Sequence, residues 1–309
     1  MPRTRARLAT RSSPLALWQA RSVAEMIGRS QPEVDVVVVT VETTGDRRVD
    51  RSIADIGGQG VFVKEVQAAV LDGRADIAVH SAKDLPSATP DGLLLASVPS
   101  RADPRDVLVG ATLETLAPGA MIATGSRRRM AQLAWLRPDL TFMGLRGNIA
   151  SRLEKVPPGG AVVMAAAALQ RLGITPEVSQ TLELAEMVPQ VGQGAIALEC
   201  RQDDPDSLRL VACVNDEDAF VCLQAERAFL SSIGGGCDLP VGAHARLDNG
   251  RLTLEGVVGS ADGRVVLRER RAGPPRDPVR LGSQLASLLL GAGGAELLDG
   301  DAGSAGRLI

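Results

Sequence analysis

Asp76-Ile77-Ala78-Val79-His80-Ser81-Ala82-Lys83-Asp84 joins a short apolar run to a polar cluster. Ile77, Ala78 and Val79 read as a buried strand, and Lys83 and Asp84 follow its carboxyl end, where open α/β sheets place their ligands. An aspartate beside a lysine stays ionised, so it can stabilise a developing cation or relay a proton. The five residues from His80 to Asp84 fit a solvated loop with a helix cap about as well. The choice between these readings rests on the rest of the chain.

Upstream, a strand begins at Arg7 and turns at Ser12-Ser13-Pro14. Ser13 is placed to cap a helix with Pro14 in its first turn, and Leu17, Ala20, Ala24 and Ile27 form the apolar stripe. Residues 34–41 are a β-branched run, continuous enough for a strand covered on both faces. A loop over 43–60 carries Gly45, Gly57, Gly58 and Gly60, a composition suited to a lid. A helix is expected over 61–71 and a strand over 93–98. Strands alternating with helices predict parallel α/β construction.

The texture turns polar over 100–105, and the alternation restarts with strands at 107–109, 140–143 and 161–164 and helices over 124–136 and 166–172. Gly192-Gln193-Gly194 is a second glycine joint, followed by a strand over 195–199 and helices near 207–214 and over 217–231. From Val241 the pattern changes to period-2 strands over 241–247, 252–258 and 265–270, with turns at Asp248-Asn249-Gly250 and Asp262-Gly263. A helix over 278–290 ends the pattern. This C-terminal third reads as a small antiparallel α+β domain.

At 309 residues the chain is expected to hold more than one domain. Hydrophobic residues make up 45% and charged residues 23%, ordinary for a globular protein, so sizeable cores are available. Aromatic residues are 2%, with no Tyr, which leaves few stacking platforms for single-stranded nucleic acid. The net charge of -3 gives no overall basic field for nucleic acid or an anionic membrane. The basic N-terminus lacks an apolar stretch, so no signal peptide is expected, and no run approaches a membrane span. The four cysteines form no CxxC pair, and the histidines are two. No metal site and no disulfide framework are expected, and the chain reads as reduced and cytoplasmic.

Thr124-Gly125-Ser126-Arg127-Arg128-Arg129 sets two hydroxyls and three guanidiniums at a helix start, an arrangement suited to an anion. Arg146-Gly147-Asn148, Arg152 and Arg171 lie downstream, and Arg11 follows the first strand. An ordinary basic helix face would explain Arg127 to Arg129 but not the recurrence of arginines after strands. In Gly234-Gly235-Gly236-Cys237-Asp238-Leu239-Pro240 three glycines lead into a cysteine. It fits an accessible attachment point or a small residue filling space beside a turn.

Ala9-Thr10-Arg11-Ser12-Ser13-Pro14-Leu15-Ala16-Leu17-Trp18-Gln19-Ala20, the Asp76 to Asp84 segment, Leu145-Arg146-Gly147-Asn148, Val191-Gly192-Gln193-Gly194 and Gly235-Gly236-Cys237 together resemble the porphobilinogen deaminase (hydroxymethylbilane synthase) family. The resemblance runs nearly end to end. It implies three α/β domains. Two resemble periplasmic binding proteins and flank a cleft, and a small C-terminal α+β domain has a three-stranded antiparallel sheet. The expected boundaries are 1–98 with 193–214, 102–188, and 217–309.

The resemblance further implies a dipyrromethane cofactor, held covalently through a thioether to Cys237. Four porphobilinogens are joined on it head to tail with loss of ammonia, and water frees hydroxymethylbilane. Asp84 matches the catalytic aspartate. Ser81, Lys83, Asp84, Thr124, Ser126, Arg128, Arg129, Arg146 and Gly147 are expected at the cofactor. Arg11, Ser13, Gln19, Phe62, Arg152, Arg171 and Gln193 are expected at the substrate. The implied enzyme is a monomeric transferase acting on porphobilinogen, with no metal, nucleic acid or membrane partner.

Two departures stand out. Relatives carry lysines in the segment matching 53–60, whereas this chain has Asp55 and Gln59, which makes the lid less positive. Ala168 stands where relatives often have glycine. A non-catalytic two-lobed binding protein for a polycarboxylate would share the arginines but have no need of Asp84 or Cys237. A nucleic-acid module built on Arg127 to Arg129 is opposed by the acidic charge balance.

Overall fold

The computed structural model describes residues 4–43, 63–235 and 239–302. Phe62, Cys237 and the segment 44–60 with Asp55 and Gln59 lie outside the described residues. The chain divides into two compact units, residues 1–102 with 194–220 and residues 103–193 with 221–309.

The first unit is built on β1 (Arg5–Arg11), α1 (Pro14–Ser30), β2 (Asp35–Val41), α2 (Lys64–Leu71), β3 (Ile77–Ser81), β4 (Leu93–Ser97) and β10 (Ile196–Arg201), with α6 (Pro205–Ala212) after it. Its sheet runs β2-β1-β3-β10-β4. β1 is parallel to β2 and β3, while β10 is antiparallel to both β3 and β4. The sheet is therefore mixed, against the expectation of a parallel one. β10 arrives only after the chain has built the second unit's first sheet, and no local pattern encodes its direction.

Period-2 alternation buries both faces. Leu8, Ile77, Val79 and Leu198 pack with Ala20, Val23 and Ile27 of α1 and with Leu210 and Val211 of α6. Ala9 and Ala78 point the other way, onto Val66, Ala69 and Val70 of α2. β2 departs from its expected full burial. It is an edge strand whose Val36 to Val39 are only half-buried, because a neighbour is present on one side alone.

In the second unit β5 (Asp106–Val109), β6 (Met121–Ala123), β7 (Thr141–Met143), β8 (Ala161–Ala165) and β9 (Ser179–Leu182) form a sheet in the order β7-β6-β8-β5-β9. β6 pairs in parallel with β7 and β8, and β5 pairs antiparallel with β8 and β9. The helices are α3 (Arg127–Leu136), α4 (Ile149–Leu153) and α5 (Ala166–Arg171). Leu108, Ile122, Leu133, Val163 and Leu182 fill one core, and Val107, Val162, Met164 and Leu169 fill the other.

The same unit holds the antiparallel sheet of β11 (Val241–Asp248), β12 (Arg251–Gly259) and β13 (Val266–Gly273). A two-residue turn joins β11 to β12, with Asn249 at φ 50° and Gly250 at φ 71°, the left-handed pair such hairpins need. Helices α7 (Glu217–Ile233) and α8 (Pro278–Leu289) cover the sheet, with Phe229, Leu254, Leu281 and Leu285 at its centre. Helical structure continues through a kink at Gly293 into α9 (Ala295–Ala302). The stretch Pro278–Asp299 is long and apolar enough to cross a membrane by length and composition, contrary to the sequence expectation. Its buried face, Leu281, Leu285, Ala286 and Leu289, is spent on the domain core.

Candidate functional site

In the first unit the parallel strands β1 and β3 end together. Past them lies a cavity of about 50 Å³ whose polar lining is Thr10, Arg11, Ser13, Gln19, His80, Ser81 and Asp84. Ser13 caps α1 by accepting a hydrogen bond from the Ala16 N–H at 3.3 Å, with Pro14 following, as its position in the sequence requires. Gln19 is buried on α1 and donates from Nε2 to Ser81 Oγ at 2.9 Å, so the helix holds the end of β3. Lys83 and Asp84 sit half-buried in a single 3₁₀ turn, Ala82–Asp84. The Ala82 N–H bonds the Ala195 carbonyl at 3.0 Å, tying that turn to the glycine joint before β10. Among the first-unit residues expected at a site and described here, the structure therefore gathers Arg11, Ser13, Gln19, Ser81 and Asp84 around one cavity.

Two further residues at this place, Glu199 and Gln67, escape the sequence reading, which holds His80 only as a member of the motif. Glu199 of β10 and His80 of β3 lie on the same sheet face, and Gln67 of α2 reaches them. Gln67 Nε2 donates to Glu199 Oε2 at 2.8 Å, and His80 Nε2 lies 3.1 Å from the same oxygen, though without the alignment of a hydrogen bond. All three are buried. His80 was quoted in the motif, but Glu199 lies in an apolar strand pattern far along the chain, and only the fold joins them.

In the second unit Arg128 and Arg129 are 3% and 8% exposed, so they are not a solvated helix face. Both bind Asp106 at the start of β5. Arg128 Nη1 donates to Oδ2 at 2.8 Å, and Arg129 Nε and Nη2 donate to Oδ1 at 3.0 and 2.7 Å. Arg128 also donates to the Val188 carbonyl and Arg129 to the Val163 carbonyl, each at 2.8 Å. Gln193 Nε2 adds bonds to Asp106 Oδ1 at 3.0 Å and to the Pro104 carbonyl at 2.7 Å. Burial alone would raise the Asp106 carboxyl. The charges of Arg128 and Arg129 and the bonds from Arg128 and Gln193 instead hold it well below the usual carboxylate range. Burial also lowers Arg128, against the pull of Asp106.

Two guanidiniums against one carboxylate leave a net positive charge at the first turn of α3. Ser126 caps that turn, accepting from the Arg129 N–H at 3.4 Å, and Thr124 Oγ1 accepts from the Ser126 N–H at 3.2 Å. The helix start adds its own positive potential. Arg128 Nε is buried and has no acceptor among the described residues.

After β7, Arg146 is exposed and Gly147 takes φ +115°. A Cβ on Gly147 would lie 2.1 Å from Ser151 Oγ, so this turn needs glycine. Arg152 Nε donates to the Gly147 carbonyl at 2.8 Å, and Lys155 Nζ to the Arg146 carbonyl at 3.1 Å. At the end of α5, burial pulls the Arg171 guanidinium down to about 10, which leaves it cationic at neutral pH.

The second unit has a cavity of about 700 Å³ between Glu183–Ala185 and the outer face of the C-terminal sheet, and none of the expected site residues lines it. Its arginines are already matched, Arg105 by Asp103 and Glu183, and Arg268 and Arg270 by Glu255. Among the described residues no cluster of His, Cys, Asp and Glu is arranged to hold a metal ion.

The dipyrromethane that the resemblance implies carries an acetate and a propionate on each ring. The donor set suits such a group: arginine, lysine, hydroxyl and amide donors in the first unit, and in the second a buried net positive charge with an unmatched Arg128 Nε. Cys237 itself lies outside the described residues.

Two family models match the chain. "Porphobilinogen deaminase, dipyromethane cofactor binding domain" spans residues 6–209, and "Porphobilinogen deaminase, C-terminal domain" spans residues 220–291. A protein of Roseiflexus sp. (strain RS-1) named porphobilinogen deaminase is 48% identical over 298 residues, 95% of this chain and 98% of the relative. One of the same name from Syntrophotalea carbinolica is 43% identical over 297 residues, 94% of each. The solved methionine-binding protein MetQ is a far weaker likeness, with 11% identity and a TM-score of 0.43 over 70% of this chain and 92% of that one. Relatives spanning nearly the whole chain carry the deaminase name, so the non-catalytic binding-protein reading is not favoured. With both domain models matched in order, the chain belongs to the porphobilinogen deaminase family.

Proposed function

We propose that this chain is a hydroxymethylbilane synthase, a monomeric cytoplasmic transferase of tetrapyrrole synthesis that joins four porphobilinogens and releases an ammonia at each joining. The observation that carries the reading is the match to the cofactor-binding domain over residues 6–209, within which Asp84, Ser81 and Arg11 border one cavity. The three-domain division, with the second compact unit counted as two domains around its two sheets, belongs to the same proposal.

Ser81, Lys83, Asp84, Thr124, Ser126, Arg128, Arg129, Arg146 and Gly147 would hold the dipyrromethane, with Cys237 as its anchor. When bound, that group would supply the unsubstituted, nucleophilic pyrrole α-carbon, which exchanges its hydrogen for the first new carbon–carbon bond. The chain's own work is electrostatic. Lys83, Arg11, Arg146, Arg152 and Arg171 bind carboxylates, and Ser13, Gln19, Phe62 and Gln193 complete the substrate's surroundings. Arg128 and Arg129, locked by Asp106, present charge without needing to reorganise. Asp84, fixed in a short turn, stabilises the pyrrole cation left when the amine departs and hands on protons.

Porphobilinogen supplied to the purified protein tests this. Ammonia and hydroxymethylbilane should appear in a ratio of four to one. Asp84→Ala should stay folded and lose turnover. Ammonia release at the wild-type rate in that variant would refute the role of Asp84, and absence of both products with the wild-type protein would refute the assignment.

A further inference from the structure

The deaminase reading asks Asp84 to do two things that compete. As an anion it stabilises a pyrrole cation, and once it has taken a proton it no longer can. Joining two pyrroles with loss of ammonia forms a carbon–carbon bond and breaks a carbon–nitrogen and a carbon–hydrogen bond. The nitrogen leaves as ammonia with the electron pair of its bond. The C–H pair returns to the ring, and the proton needs a base before it leaves as ammonium or to water.

We propose that His80, backed by Glu199, is that proton acceptor, working through water in the cavity it shares with Asp84. The proposal rests on the deaminase reading. His80 lines the cavity beside Asp84, Ser81 and Arg11, and a volume of about 50 Å³ has room for water. Its Nε2 lies 3.1 Å from Glu199 Oε2, within reach of a hydrogen bond after a small rotation of the ring. Glu199 is fully buried, and a carboxylate there is costly unless a donor or cation meets it. Gln67 Nε2 donates to it at 2.8 Å from α2, and His80 Nε2 lies 3.1 Å away on β3, near enough to become its second donor. A carboxylate that accepts from imidazole Nε2–H favours that tautomer and stabilises the imidazolium formed when the other ring nitrogen takes a proton. His80 thus acts behind Asp84, resetting it to the anion, and Glu199 positions His80.

The test uses cofactor-loaded protein, with loading confirmed by intact mass in every variant. His80→Ala should lower kcat about 100-fold with KM little changed, the scale of one general base, and added imidazole should restore turnover in proportion to its concentration. Glu199→Gln, a near-isosteric change, should lower kcat by about tenfold and keep the fold. With two histidines in the chain, imidazole ¹⁵N spectra can be assigned by comparison with His80→Ala. The His80 signals should show the proton on Nε2, displaced by Glu199→Gln. An unaltered kcat in both variants, a loss that imidazole does not restore, or a proton fixed on Nδ1 would overturn the proposal. Loaded wild-type protein that turns over while His80→Ala is unimpaired leaves the deaminase reading standing and removes only this inference. A wild-type protein that never consumes porphobilinogen removes the reading itself.

Discussion

Replacing Asp106 by alanine tests the physical basis of the second unit's cationic cluster. The substitution leaves Arg128 and Arg129, 3% and 8% exposed, without the carboxylate that both bind. Removing one partner of a buried ion pair costs about 3–5 kcal/mol, because the remaining charge stays out of water. The chain offers a local reporter. Trp135 lies in α3, the helix that carries Arg128 and Arg129, while Trp18 belongs to the first unit, and these are its two tryptophans. In a Trp18→Phe background, urea unfolding followed by fluorescence reads the second unit. With a slope of about 2 kcal/mol per molar urea, Asp106→Ala should move the midpoint down by about 2 M.

Its pH dependence has a definite sign. The folded Asp106 carboxyl is held below its unfolded value, so its stabilisation is complete above the unfolded value near pH 4 and is lost as pH falls towards the lower folded one. The wild-type midpoint should therefore fall more steeply than the variant's as pH drops below about 4. A midpoint shift at neutral pH under about 0.5 M would refute the claim that Asp106 neutralises a buried pair of arginines.

Gly147→Ala should preserve the folded core but impair binding of carboxylate-bearing substrate, since a Cβ at φ +115° meets Ser151 Oγ beside Arg146; a KM raised severalfold with unchanged circular dichroism is the expected result. Gly282→Ala places a Cβ 2.4 Å from the Ala225 carbonyl oxygen where α8 crosses α7, and should destabilise the C-terminal core by about 1–3 kcal/mol in the same urea assay. Arg171, lowered to about 10 by burial, should move back up when a carboxylate binds beside it. Substrate KM should accordingly rise as pH climbs through 10, and that rise should be smaller in Arg171→Met.

The strand of Ile77 to Val79 was legible as a short apolar run, whereas the polar turn after it fitted a solvated loop equally well until the other motifs were read with it. The Ser13 cap and the Asn249-Gly250 hairpin were legible because each needs a residue type the sequence supplies locally. β6 and β9 were not read as strands. Met121–Ala123 is three residues long, too short to show a period, and Ser179–Leu182 is mostly polar at the sheet edge. The antiparallel entry of β10 was equally hidden, because pairing direction is decided by residues far apart in the chain. Arg128 and Arg129 were found as a charged pair, but their partner was missed. Asp106 lies among charged residues that look solvated until β5 carries it into the interior.

Cys237 anchors the central claim, and the intact mass of the purified protein beside Cys237→Ser tests it most directly. The wild-type mass should exceed that of the polypeptide by two condensed pyrrole units, and the excess should be missing from Cys237→Ser. A wild-type protein at bare polypeptide mass, still unmodified and inactive after incubation with porphobilinogen, would contradict the account.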